Sequence, residues 1–516
     1  MTLARSIVTV GGLTMVSRVL GFARDILIAN FLGAGMIADA FFVAFRFPNL
    51  FRRLFAEGAF SAAFVPLFSG LLETEGQEKA RQFADQAFSV LAFILVVFVA
   101  LIEIAMPWAM FGLAPGFDAI PGKMEMATEL SRIAFPYLIF ISLVSLQSGV
   151  LNSLGRFAAA AAAPVLLNVT LISAIVGLTP LTQTAGHALA WGVAAAGVVQ
   201  FLWLAFHCRR AGVAVSVVRP RLGPKVKLLG RRILPVVFGA SAYQINLLIG
   251  TILASLISDG AVSFLYYADR IVQLPLGVVG VAVGTALLPT LSRQIKGGQA
   301  EAADHSMNRG LEIALLLTLP AAVALALIPG PIVSVLFQRG AFTDADSAAT
   351  AAALTAFASG LPAYVLIKVL APGFFAREDT ATPVRIAAWA MAANVVLNII
   401  LMQFFGHVGI ALGASLSAWL NAGWLAWLLR RRGFLVIDAC LRRRASMTVL
   451  ASAVMGGAVA LGAWALAEPL AGAFASRSLA LAALIAGGLG VFAVAAVLTG
   501  ATGLGDIKRF LRRDPA

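Results

Sequence analysis

The chain has 516 residues, 60% of them hydrophobic and only 12% charged, with a formal net charge of +14 and a mean hydropathy of +0.93. Soluble domains carry about 25% charged residues, so no soluble globular class fits. Apolar runs of about eighteen or more residues recur along the whole length, which indicates an all-α polytopic membrane protein rather than a barrel of short alternating strands.

The first apolar stretch, 7–31, follows Arg5 as the core of a signal peptide would. No A-x-A-like cleavage site follows it and Arg18 lies inside it, so it reads as the first span. At about 1.5 Å per residue Arg18 lies roughly 16 Å along that helix, near the middle of a ~30 Å hydrocarbon layer. A charge there costs at least ~2.5 kcal/mol and marks a pathway, a counter-ion or an anionic ligand. Further spans are expected at 36–70, 84–108, 130–153, 158–178, 186–207, 232–257, 262–291, 308–328, 347–371, 382–404, 408–429, 446–466 and 478–500, about fourteen in all. The second is too long for one straight crossing, so a bend near Pro48 or an extension beyond the bilayer is expected.

Lys and Arg sort into alternate loops. One set holds Arg209, Arg210, Arg219, Arg221, Lys225, Lys227, Arg231 and Arg232, then Arg293 and Lys296, the clusters 430–432 and 442–444, and finally Lys508, Arg509, Arg512 and Arg513; the opposite set has little more than Lys123, Arg339 and Arg477. The positive-inside rule then puts both termini in the cytoplasm, as an even number of spans also requires. Topology accounts for most of the basic charge, and nucleic acid is not an expected partner. Cys208 and Cys440 lie beside arginines in expected cytoplasmic loops, which argues against a disulfide. The four histidines are scattered, and no metal spacing, P-loop or dinucleotide fingerprint occurs, so no metal or cofactor is expected.

Prolines reveal an internal repeat. Pro48, Pro66, Pro107, Pro136 and Pro164 recur in order as Pro275, Pro289, Pro331, Pro362 and Pro383, at offsets of 219–227 residues, and Asp39 recurs as Asp269. Spans 1–6 therefore read as duplicated in spans 7–12, both copies starting from the cytoplasm, with a substrate site expected between the lobes. The expected organisation is an N-terminal lobe (1–210), a cytoplasmic basic linker (211–231), a C-terminal lobe (232–432), and a helix pair with a basic tail (433–516).

Three constellations carry candidate chemistry. Arg18, Arg24 and Asp25 share the first span. The two arginines are six residues apart, about 600° of helix, so they occupy different faces unless the helix bends, as Gly21 permits. Ligand contact is one reading of each; the other has Arg24 paired with Asp25 or a neighbour, locking the lobe. In span 8, Asp269 and Arg270 precede Pro275, with Arg270 a candidate ligand group and Asp39 and Asp269 candidates for a gate or ion pair. Arg52, Arg53 and Glu57 either snorkel at the cytoplasmic face or form a gate or head-group contact. Arginine suits diphosphate because its planar fork donates parallel, charge-assisted hydrogen bonds.

The stretch DAFFVAFRFPNLFRRLFAEGAFSAAFVPLF (39–68) resembles the signature of the MurJ/MviN family of bacterial lipid II flippases, and YYADR (266–270) and LNSLGRF (151–157) resemble other segments of it. The resemblance spans essentially the whole chain. It implies fourteen helices in two six-helix lobes, with a terminal pair forming a groove for a polyprenyl tail, inside a larger superfamily that includes multidrug antiporters. It also implies essential cavity arginines, and Arg18, Arg24, Arg270 and Asp39 fall on matching positions. One departure is Gln273, where the pattern leads one to expect an acid.

The function so implied is transport without catalysis. A polyprenyl diphosphate carrying a peptidoglycan unit would be bound through Arg18, Arg24 and Arg270 and flipped from the cytoplasmic to the periplasmic leaflet of the inner membrane by alternating access. Lipid II and membrane lipids are the expected partners, with wall-synthesis proteins as further candidates. An ion-coupled antiporter of cationic drugs would instead place carboxylates in the cavity, and a non-transporting scaffold would leave the intramembrane arginines without a reason.

Overall fold

The computed structural model describes residues 3–52 and 60–503. In chain order the helices are α1 (Leu3–Leu32), α2 (Met36–Phe51), α3 (Phe60–Thr74), α4 (Gly76–Leu113), α5 (Lys123–Ala134), α6 (Tyr137–Ser153), α7 (Phe157–Leu178), α8 (Ala185–Arg210), α9 (Pro224–Ser255), α10 (Ala261–Lys296), α11 (Ala300–Leu327), α12 (Pro329–Phe337), α13 (Asp344–Phe375), α14 (Ala381–Phe405), α15 (His407–Arg431), α16 (Ala439–Ala465), α17 (Ala467–Ala471) and α18 (Phe474–Thr499). Helices satisfy their own backbone groups, which is what a segment in hydrocarbon must do. Among the described residues ten helices are long and apolar enough to cross a membrane. The four other expected spans are helical as well, as α1, α2 with α3, α9 and α10.

The second expected span contains the described helices α2 and α3 on either side of residues 53–59, and Pro48 sits inside α2. One expectation changes in detail. The basic linker is shorter than expected, because Gly223 and Pro224 start α9 early and carry Lys225, Lys227, Arg231 and Arg232 into its first turns. What precedes α9 is extended and pinned to α4. The N–H groups of Ser216, Val218 and Arg221 donate to Asp85 Oδ1 (2.7 Å), Ser89 Oγ (2.8 Å) and Gln86 Oε1 (3.1 Å).

The chain divides into two compact units, Met1–Ser263 with Gly340–Phe342, and Phe264–Arg339 with Thr343–Ala516. In the first, α7 packs on α1 and α8, α6 on α8, and α2 on α5. Its interior is aromatic: Phe64 stacks with Phe60, Phe68 and Phe83, and Phe47 with Phe135. In the second, α11, α13 and α15 enclose Met307, Leu311, Val369, Phe374, Leu425 and Leu429. There α14 and α15 approach so closely that a Cβ on Gly413 would lie 2.1 Å from Asn398 Oδ1. The C-terminal helices α16 and α18 pack on each other, and α16 packs on α11. Arg309 of α11 is the clasp: it bonds Asp438 Oδ2 at 2.6 Å and pairs with Glu312, which also accepts from Arg444 at 3.2 Å.

Candidate functional site

The arginines of α1 have opposite surroundings. Arg24 and Asp25 are buried, at 6% and 2% exposure. Arg24 donates Nη2 and Nε to Asp25 Oδ1 at 2.7 and 3.1 Å, and Nη1 to Asn168 Oδ1 of α7 at 3.0 Å. Asn168 donates in turn to the Ser17 carbonyl at 2.9 Å. Its amide lies over Gly21, where a Cβ would sit 3.5 Å from it, and α1 runs unbroken through that glycine. The Arg24 charge is thus neutralised inside the α1–α7 contact. Arg18 is exposed on another face and makes no hydrogen bond or ion pair among the described residues.

Asp39, near the start of α2, is fully buried. Its Oδ2 accepts from Lys123 Nζ at 2.7 Å and from the Gly260 N–H at 2.9 Å; its Oδ1 accepts from Ser263 N–H at 2.8 Å and Ser263 Oγ at 2.5 Å. Gly260 and Ser263 flank the start of α10, whose first N–H groups have no partner within the helix and carry positive partial charge. Asp39 therefore caps that helix from a segment 221 residues away in sequence. Lys123 completes the cluster. It is itself fully buried, also donates to Asp259 at 2.6 Å, and lies 4.3 Å from the centre of the Phe117 ring. Sequence reasoning counted Lys123 only as a stray loop charge and passed over Asp259. Arg46, which donates to Thr251 and ties α2 to α9, was also passed over.

In the second unit, Arg270 lies over the Tyr266 ring at 4.8 Å and donates Nη2 to Tyr266 Oη at 2.9 Å. Gln273 explains its own presence in place of an acid. Its Oε1 accepts from Arg270 at 3.5 Å, while its Nε2 donates to Asp269. An amide can serve both neighbours at once; a carboxylate would accept from Arg270 and repel Asp269. Arg52, after the last residue of α2, donates Nε to Asn49 at 2.7 Å, and Arg53 and Glu57 lie outside the described residues. Among the described residues no three His, Cys, Asp or Glu side chains are placed to hold a metal.

Many apolar helices, with guanidinium groups inside them, define a membrane carrier. A solved structure described as the inward-facing conformation of a multidrug resistance MATE family transporter of the MOP superfamily matches 82% of this chain and 97% of its own, at 17% identity and TM-score 0.67. One described as lipid II flippase MurJ, inward closed conformation, matches 98% of this chain and 100% of its own, at 23% identity and TM-score 0.77. These likenesses establish the fold.

The family follows from sequence. The model of the family described as lipid II flippase MurJ matches residues 28–482. A Rhizobium tropici protein named "Probable lipid II flippase MurJ" is 45% identical, covering 99% of this chain and 97% of its own. A Burkholderia cenocepacia protein named lipid II flippase MurJ is 39% identical, covering 84% and 85%. The chain belongs to the MurJ family of lipid II flippases, and as a member it is a multi-pass membrane protein.

Proposed function

We propose that the chain flips lipid II from the cytoplasmic to the periplasmic leaflet of the bacterial inner membrane, breaking no covalent bond. The hydrophilic head of such a lipid cannot cross hydrocarbon unaided, because unpaired polar and charged groups cost too much there. The observation that carries the reading is Arg18: a guanidinium exposed partway along an apolar helix, with no partner among the described residues, in a chain matched by the flippase family over residues 28–482. Arg18, Arg24 and Arg270 supply the diphosphate-binding groups. Arg18 is ready as it stands, Arg270 would leave Tyr266 and Gln273, and Arg24 would exchange Asn168 for phosphate oxygens.

The proposal takes the parallel repeat as two lobes, 1–210 and 232–432, that alternate in access, and the helix pair from 433 onward as the guide for the polyprenyl tail. Both termini lie in the cytoplasm, and wall-synthesis proteins that supply or consume the lipid are partners. Asp25 and Asp269 are the acids with which arginines re-pair once the diphosphate leaves, while Asp39 stays in its ion pair with Lys123.

Flipping of labelled lipid II in vesicles or depleted cells tests this. Arg18→Ala at normal protein level should abolish flipping, and failure of Arg18→Lys to restore it would point to two-pronged contact with phosphate. Undiminished flipping by alanine variants at all three arginines would sink the proposal.

A further inference from the structure

A cavity of about 930 Å³ with both charged and apolar walls opens in the first unit between α4, α5 and α8, bounded by Pro107, Glu125, Glu129, Arg132, His187 and Trp191 among others. We propose that it binds the head group of a phospholipid whose phosphate carries a primary amine.

The argument starts with α5. Glu125, Glu129 and Arg132 follow at intervals of four and three residues, so they share one helix face. The opposite face, with Lys123, Ala127, Leu130 and Ala134, is buried. One wall of the cavity thus offers two carboxylates and a guanidinium side by side, all exposed.

The facing wall supplies a donor. His187, in the first turn of α8, is 5% exposed. Thr184 caps that helix; its Oγ1 accepts from the His187 N–H and lies 2.8 Å from His187 Nδ1. We take that hydroxyl as the donor to Nδ1, which puts the ring hydrogen on Nε2. That Nε2 is buried and completes no hydrogen bond, although Glu129 Oε1 lies 3.3 Å away. A buried N–H with an open position toward a cavity costs free energy until an acceptor arrives.

The level in the membrane follows from the helix ends. The cavity runs along α5 and meets α8 at its start, the end of that helix opposite to basic Arg209 and Arg210. Around it Trp108, Trp191 and Leu181 are 73%, 54% and 80% exposed. Exposed tryptophan marks the lipid–water boundary, where phospholipids present their head groups. The carboxylates take the ammonium hydrogens, Arg132 and the His187 N–H take the phosphate oxygens, and Pro107, Leu181 and Trp191 receive the glycerol and first methylenes. A quaternary ammonium has no hydrogen to give Glu125 and Glu129. A glycerol head group leaves them without a cation.

Native mass spectrometry of the full-length protein, titrated in detergent with phosphatidylethanolamine, phosphatidylcholine or phosphatidylglycerol, decides the matter. The wild type should bind the ethanolamine lipid about tenfold more tightly than either other lipid, the ratio that one charge-assisted contact supplies. The E125Q/E129Q double variant should lose the preference over phosphatidylglycerol, and R132A or H187Q should weaken all three lipids. Glu125, Glu129 and Arg132 are exposed, so those variants fold. Equal affinity for the three lipids in the wild type, or an unchanged preference in E125Q/E129Q, overturns the proposal. Displacement of the lipid by water-soluble glycerophosphoethanolamine at equal concentration would also overturn it, by showing that a soluble compound suffices.

Discussion

Asp39 and Asp269 stand at matching positions of the proposed repeat, and their surroundings differ sharply. Asp39 is fully buried and takes hydrogen bonds from Lys123, Gly260 and Ser263 on both oxygens. Asp269 is partly exposed and takes the amide of Gln273, beside Arg270 resting on Tyr266. A carboxylate saturated by a lysine and two N–H groups has no capacity left for a moving partner, so it fixes structure. A hydrogen bond from a neutral amide is weaker than one from an ammonium group. Arg24 and Arg18 repeat the contrast on a single helix, the first held by Asp25 and Asn168 and the second open. Within each pair, the buried charge is tied into the fold at rest and the other lies at least partly exposed.

The largest effect should come from breaking the buried pair. Lys123→Met leaves Asp39 and Asp259 without their cation and should lower stability by about 3–5 kcal/mol, read as thermal unfolding in detergent. Replacing both partners, in Lys123→Met with Asp39→Asn, should recover part of that loss, because no uncompensated charge then stays buried. An unaltered melting temperature in the single variant would contradict the lock. Next comes Arg24→Ala, which strands buried Asp25 and should cost about 3 kcal/mol. Arg18→Ala should change stability by less than about 0.5 kcal/mol and still abolish flipping. If the two arginine variants unfolded alike, the division between lock and open charge would fail. Smaller again is Gln273→Glu, which trades the amide donor for a charge facing Asp269 and should shift stability by about 1 kcal/mol. A double-mutant cycle with Asp269→Asn should show the two changes coupled.

Hydropathy made the helices legible because each long apolar stretch needs only its own residues to declare itself. The arginines of α1 and α10 were legible for the same reason, as charges where none should be. Asn168 bonds α7 to α1, and α14 lies close over Gly409 and Gly413 of α15. Lys123 was not legible. Its partners lie 84 and 136 residues away, and nothing in a lone lysine near a helix start shows that it is buried. Nor was the service of Gln273 to two neighbours, since that depends on both side chains turning toward one amide.

An effect about as small as that of Gln273→Glu lies outside the spans and bounds the comparison from its solvent side. Asp379 joins α13 to α14. It accepts from the Thr382 N–H at 2.9 Å, from Thr382 Oγ1 at 2.7 Å and from Arg432 Nη1 at 2.6 Å. The Thr382 hydroxyl and N–H, with Arg432 adding to them, hold its carboxyl down to about 2. Because the folded value lies below the ordinary one of about 3.9, the ionised group favours the fold at every pH above about 4. Its contribution disappears as pH falls from there toward 2. Asp379→Ala should therefore cost about 1 kcal/mol at neutral pH, the worth of a helix cap, and the variant and wild-type stabilities should converge below pH 3. Asp379→Asn should keep the acceptor for Thr382, lose the charge facing Arg432, and fall between them. A difference between alanine variant and wild type that stayed constant down to pH 2 would mean that packing, not the carboxylate charge, is what Asp379 contributes.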